Sequence, residues 1–152
     1  FNLSASATRD GLSLIAVIMK APTSALRFSN ASTLLDYGFN NYSYKSFGNQ
    51  GDIVENISVT KGVSSNVNVV YENSPAFLVK KGEESGITYE ISLSDSIQAP
   101  VEKGQKIGTI TYSLNGNNIN TVNLVADNKI EKIDIFNMFK LILSKWFNLL
   151  RV

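Results

Sequence analysis

From residue 44 to residue 127 the chain is a succession of short β-prone runs separated by turn residues, and no other feature limits its fold as strongly. The runs are DIVENISVT, NVNVVYE, AFLVK, ITYEISL, KIGTITYSL and INTVNLVA, all rich in β-branched or aromatic residues. Six short strands at this spacing predict a small antiparallel β-sandwich or barrel. Lys-Gly recurs at Lys61-Gly62, Lys81-Gly82 and Lys103-Gly104, and Asn115-Gly116 opens a hairpin-like loop over 115–118. The flanking runs do not resemble one another, so hairpin turns explain the recurrence better than a repeat protein. Pro100 marks a strand edge or loop, because proline cannot donate to a ladder.

The start of the chain has a different texture. Phe1, Leu3, Ala5 and Ala7 alternate with Asn2, Ser4, Ser6 and Thr8, the period of a strand with one apolar face. Arg9-Asp10-Gly11 reads as a tight turn. Residues 12–19, LSLIAVIM, form a nearly continuous apolar run, as expected of a strand covered on both faces. Two such strands call for more sheet than this stretch supplies. Pro22-Thr23-Ser24 opens a helix with Thr23 or Ser24 as N-cap, Phe28, Ala31, Leu34 and Leu35 as apolar face, and Gly38 as C-terminal cap. A domain boundary is expected within residues 41–45.

Residues 134–152, DIFNMFKLILSKWFNLLRV, place Asn137, Lys140, Ser144, Asn148 and Arg151 on one narrow polar stripe of a helix. Nearly everything else there is large and apolar, too wide a face for one side of a small domain. Lys140, Lys145 and Arg151 divide the stretch into runs far short of the roughly 20 apolar residues that span a bilayer. Cations on the polar stripe, with Trp146 and Phe147 beside it, describe a helix lying in the membrane interface. Its anchoring set is Phe136, Phe139, Lys140, Leu143, Lys145, Trp146, Phe147, Leu150 and Arg151. A core-packed or oligomer-forming helix is the alternative, which periodicity alone does not separate.

Composition narrows the chemistry. A hydrophobic fraction of 43% in 152 residues supports a real core, and a net charge of +1 gives no electrostatic case for nucleic acid. Cysteine and histidine are both absent from the sequence, which removes Ser-His-Asp and Cys-His nucleophiles and every metal site built on those ligands. No cofactor is expected. Ser58-Val59-Thr60-Lys61 is the one Ser-x-x-Lys pattern, but at a strand end residues three apart point to opposite faces, so it reads as chance. Ser-x-Asn occurs at Ser64 and Ser113, both in turns, and Lys-Thr-Gly does not occur. Sequons at Asn2, Asn30, Asn41 and Asn56 carry little weight, since Asn2 and Asn30 fall in a strand and a helix. Glu83-Glu84 beside Lys80-Lys81 reads as a solvated turn. Arg27 stands in the first turn of its helix, where a cation opposes the dipole; an exposed arginine without a role is the default.

The order FNLSASATRDGLSLIAVIM, APTSALRFSNASTLLDYGF, GDIVENISVTKG resembles the serine-type D-alanyl-D-alanine carboxypeptidases, the low-molecular-mass penicillin-binding proteins of the peptidase S11 type. The stretches AFLVKKGEE, IQAPVEKGQKIGTITYSLNG, VNLVAD and FNMFKLILSKWF fit the same family, so the resemblance covers the chain in register. It implies a mainly β, α+β chain in three parts. Residues 1–41 would be the end of a transpeptidase-like catalytic domain, 42–129 a β-rich spacer domain, and 130–152 an amphipathic membrane anchor.

The family's Ser-x-x-Lys, Ser-x-Asn and Lys-Thr-Gly motifs lie upstream of what this chain resembles, so no catalytic residue is expected in it. By resemblance, the parent protein's serine, activated by a lysine, attacks the D-Ala-D-Ala bond of a peptidoglycan pentapeptide, and β-lactams trap the same serine. Arg27 matches a family arginine near the active-site cleft, where a guanidinium would pair with the substrate's terminal carboxylate. Structural support of the cleft is its rival role. The resemblance also implies a location on the outer face of the bacterial cell membrane, with the membrane surface as partner of the last helix. The rival from another class is a non-enzymatic β-sandwich binding or adhesion module with an interfacial helix.

Overall fold

The computed structural model describes residues 1–134 together with 138, 139 and 143. In chain order the elements are β1 (Leu3–Arg9), β2 (Leu12–Ile18), α1 (Ser24–Asn41), β3 (Tyr42–Ser46), β4 (Ile53–Thr60), β5 (Asn66–Tyr71), β6 (Ala76–Lys80), β7 (Ile87–Leu93), β8 (Ser96–Gln98), β9 (Lys106–Leu114) and β10 (Asn117–Ala126). They fall into two compact units. One joins Phe1–Phe47 to Ala76–Ile87, and the other joins Gly48–Pro75 to the described residues from Thr88 onward.

In the first unit β1 and β2 form an antiparallel hairpin, with Leu3 opposite Ile18 and Ala5 opposite Ala16. Asp10 and Gly11 turn it with φ of 50° and 77°, the positive values a two-residue connection needs. Ala16, Ile18, Ala21 and Ala31 make a small core, with Leu3, Ala5 and Leu35 packed against it. Thr23 caps α1, its Oγ1 accepting the Leu26 N–H at 3.2 Å.

Several expectations change here. β2 is buried on one face only: Ile15, Val17 and Met19 are 74%, 61% and 76% exposed. Among the described residues, no element covers that second face. The buried stripe of α1 is Ala31, Leu35 and Phe39, while Phe28 and Leu34 are exposed. Gly38 does not cap the helix, which runs on to Asn41. A Cβ at Gly38 would collide with Leu14 Cδ1, so close packing on β2 accounts for the glycine. At Tyr42 the backbone turns extended and the helix ends, the Tyr42 N–H bonding the Gly38 carbonyl. Tyr42 also starts β3, which pairs antiparallel with β6, and Phe47 stacks on Phe77 with ring centroids 4.8 Å apart. The AFLVK run thus joins a two-stranded sheet of this unit and not the larger sheet.

The second unit is a six-stranded sheet in the order β7-β9-β10-β5-β4-β8. β4 pairs with β8 in parallel, a departure from an all-antiparallel arrangement. β10 is the hinge of the sheet, running against β9 for most of its length and against β5 from Leu124 to Ala126. A register shift between Leu124 and Val125 breaks the alternation there, and Leu124, Val125 and Ala126 are all buried. Val67, Val69, Val101, Ile110 and Ile130 complete the core at 2% exposure or less. Asn115-Gly116 is a true two-residue hairpin, joining β9 to β10. Lys61-Gly62 lies in the longer loop between paired β4 and β5. Lys81-Gly82 and Lys103-Gly104 turn the chain without joining paired strands. The helix expected directly after Lys129 does not start there: Ile130 is buried and bonded to Val101 in both directions, and Ile133 N–H bonds the Lys61 carbonyl.

Candidate functional site

Arg27 continues the buried stripe of α1 one turn toward its start, four residues before Ala31, and is half-buried. Its Nη1 donates to the Asn2 carbonyl at 3.4 Å. The guanidinium carbon lies 5.4 Å from the Phe1 ring centroid and 4.9 Å from that of Phe28, within cation–π range of both. These contacts answer the unfavourable dipole position. Arg27 ties the helix to the stretch that leads into β1, which is itself held by the Phe1 main-chain nitrogen on the Ala21 carbonyl at 2.8 Å and by Lys20 N–H on Asn2 Oδ1 at 2.9 Å. The Arg27 Nε is buried without a hydrogen-bond partner among the described residues. That nitrogen is closed to solvent, so an anion arriving from outside would have to use the terminal nitrogens of the half-buried guanidinium.

Phe139 and Leu143 of the proposed anchoring set are described and helical, with Phe139 64% exposed. Met138 is also exposed, and its N–H bonds the Asp134 carbonyl at 2.8 Å. Phe136, Lys140, Lys145, Trp146, Phe147, Leu150 and Arg151 lie outside the described residues. Among the described residues no helix is long and apolar enough to cross a membrane.

The remaining constellations are structural. Ser58 is exposed on β4, and Lys61 sits beyond the strand end at a φ of 58°. Lys80 and Glu83 pair at 3.2 Å with both side chains well exposed, and the Glu83 contact raises the lysine's pKa. The Glu84 carboxyl is held below its ordinary value by its own backbone N–H and that of Gly82. These are the features of a solvated turn. Tyr112, which sequence reasoning did not single out, is 2% exposed and shares a hydroxyl–hydroxyl bond of 3.1 Å with Tyr71.

Comparison with known proteins places this architecture. The chain is 27% identical over 145 residues to the D-alanyl-D-alanine carboxypeptidase DacF of Bacillus subtilis, covering 95% of this chain and 37% of that protein. It is 32% identical over 138 residues to the D-alanyl-D-alanine carboxypeptidase DacA of Haemophilus influenzae, covering 90% and 35%. The chain therefore spans little more than a third of the length of these curated relatives. Among solved structures, penicillin binding protein 5 from Haemophilus influenzae superposes with a TM-score of 0.73 at 31% identity, over 86% of this chain and 39% of that one. The peptidoglycan synthesis regulatory factor PBP3 from Streptococcus pneumoniae shares the fold, with a TM-score of 0.64 at 23% identity over 86% and 39% of the two chains. The sequence model of penicillin-binding protein 5, C-terminal domain, matches residues 42–132, more than half of the chain, and the chain belongs to that family.

Proposed function

We propose that this chain is the spacer and anchor portion of a membrane-anchored serine D-Ala-D-Ala carboxypeptidase. The observation that carries the reading is that relatives named as D-alanyl-D-alanine carboxypeptidases match 90% or more of this chain. In this proposal the whole enzyme trims terminal D-Ala from peptidoglycan pentapeptides through an acyl-enzyme that β-lactams also form. Residues 1–41 belong to its catalytic domain, 42–129 form the β-rich spacer, and 130–152 hold the enzyme to the outer face of the cell membrane through the amphipathic helix. The exposed Ile15, Val17 and Met19 support the first assignment, because a catalytic domain's sheet is covered on both faces. The exposed Phe139 supports the last.

Arg27 acts on the substrate side in this reading. Its guanidinium is held in place by the Asn2 carbonyl and the Phe1 ring. A carboxylate is the acceptor such a fork fits best. Arg27→Lys in the intact enzyme should raise KM more than it lowers kcat. A lysine variant with unchanged kinetics would leave Arg27 a purely structural residue.

Fluorescent penicillin separates the spacer role from an active one. The 152-residue chain should not label under conditions where the penicillin-binding protein 5 of Haemophilus influenzae does. Covalent labelling of this chain would overturn the inactive assignment. Sedimentation with anionic vesicles tests the anchor: Trp146→Ser with Phe147→Ser should weaken binding strongly, and unchanged binding would return the helix to a packing role.

A further inference from the structure

The stretch that leads into the proposed anchor, residues 130–133, is stitched into the second unit by its main chain. Val63 N–H donates to the Glu131 carbonyl at 2.9 Å and Ile133 N–H to the Lys61 carbonyl at 2.8 Å, around an antiparallel bridge between Gly62 and Lys132. One step earlier Ile130 and Val101, both buried, exchange two main-chain bonds at 2.8 and 2.9 Å. Gly62 permits the close approach: a Cβ there would stand 2.9 Å from Ile130 Cγ2, Val59 Cγ1 and the Ser64 carbonyl oxygen. Residues 61–63 and 130–133 thus form one clamped end of the unit.

That end carries two aliphatic side chains on its outside, Val63 at 38% and Ile133 at 39% exposure. Its exposed charges are Lys61 and Lys132 with Glu131 and Asp134, two of each sign, so no net field draws or repels a charged surface. The exposed Phe139 follows Ile133 by six residues, which covalent geometry keeps within about 22 Å. The β9–β10 turn at Asn115-Gly116 closes the opposite end, across the ten residues of β10, about 30 Å away.

We propose that the clamped end is itself a membrane contact, with Val63 and Ile133 entering the headgroup–acyl boundary of the lipid surface that the last helix binds. The proposal rests on the anchor reading and adds a second point of contact to it. Continuity identifies the partner: the chain runs from Ile133 straight into the anchor sequence, so a bilayer that takes up Phe139 lies within a short reach of this end. A loose tether would let the unit turn any side to the lipid. The four main-chain bonds that hold 130–133 fix which end faces it.

The sequence contains no cysteine, so single substitutions Val63→Cys, Ile133→Cys and Ile119→Cys can each carry one nitrobenzoxadiazole label. Ile119 is the control: it is 38% exposed, like Val63, but lies in β10 about 20 Å from the Ala126 end. Each labelled full-length chain is mixed with vesicles of equimolar phosphatidylglycerol and phosphatidylcholine, and sedimentation reports binding in the same samples. Emission should rise at least about twofold and shift to the blue at Val63→Cys and Ile133→Cys, and stay unchanged at Ile119→Cys. No rise at Val63→Cys in a chain that sediments with the vesicles would overturn this contact and leave the anchor reading standing. An equal rise at Ile119→Cys would also overturn it, because the sheet would then lie flat on the lipid. A chain that stays in the supernatant would overturn the anchor reading, and this contact with it.

Discussion

Gly108 and Gly38 both sit where a Cβ would meet a close neighbour, yet they should respond differently to the same substitution. A Cβ on Gly108 would collide with the Ser92 carbonyl oxygen and lie 3.2 Å from Leu93 Cα, so main chain of β7 stands in its way. That strand cannot retreat without loosening its pairing with β9. A Cβ on Gly38 meets one terminal methyl of Leu14, whose other atoms stand off at 3.6 and 3.7 Å. A leucine methyl can swing aside for about 1 kcal/mol, and alanine returns about as much in helix propensity. Gly108→Ala should therefore cost about 2–3 kcal/mol in urea unfolding, and Gly38→Ala close to nothing. Equal losses would mean that Leu14 is locked in place. Tyr112 allows a second measurement at this scale. Burial first, and then the bond to Tyr71, raise its pKa above the ordinary 10.0. The unfolded chain therefore loses this proton at lower pH than the folded one, and the stability it contributes is full below pH 10 and declines as pH rises further. Tyr112→Phe should cost about 1 kcal/mol at neutral pH through the lost hydroxyl bond. That gap should narrow above pH 10 in thermal unfolding of the two proteins side by side. A gap independent of pH would show that the phenol ionises equally in both states.

At the scale of elements, the hairpin shows what a sequence can and cannot say. The period-two run of residues 1–8, the Asp10-Gly11 turn and the Thr23 cap were all legible, because each depends on neighbours a few positions away. All six β-prone runs became strands for the same reason. Partners were not legible. AFLVK carries no mark that distinguishes pairing with β3 from pairing within the larger sheet, and β3 itself, YSYKS, lacks an apolar pattern strong enough to stand out. The helix offered two overlapping apolar stripes, and the smaller residue Ala31 with Phe39 won over Phe28 and Leu34 because β2 needs close approach at Gly38. The candidate site was legible as an anomaly only: the dipole argument marked Arg27, while the Asn2 carbonyl and the Phe1 ring that hold it are contacts across 25 residues and more. The outer face of β2 gives the element its prediction. Ile15→Thr with Val17→Thr keeps β-branched residues at two exposed positions, so stability should change by no more than about 1 kcal/mol. Binding of a hydrophobic dye to the chain should fall clearly. A large loss of stability instead would mean that this face is covered in solution.

For the whole molecule, the unequal strand partnering of the two units sets a pattern of protection. β10 and β5 each have neighbours on both sides, and β10 carries residues as little exposed as Leu124 at 0%. Among the described residues β1 and β2 pair only with each other, so each leaves one edge of N–H and C=O groups without a strand partner there. Opening the hairpin breaks one ladder and a small core of Ala16, Ile18, Ala21 and Ala31, whereas opening β10 breaks two ladders and the larger core. Hydrogen exchange followed by mass spectrometry should therefore show peptides of β5 and β10 exchanging slowest and those of β1 and β2 far faster. The exposed Ile15, Val17 and Met19 supply a second arm to the same experiment, because self-association through that face would slow the hairpin as protein concentration rises. Equal protection of hairpin and sheet in a chain that light scattering shows to be monomeric would contradict this account. It would mean that the hairpin and α1 hold together as firmly as the sheet, without a cover on their second face.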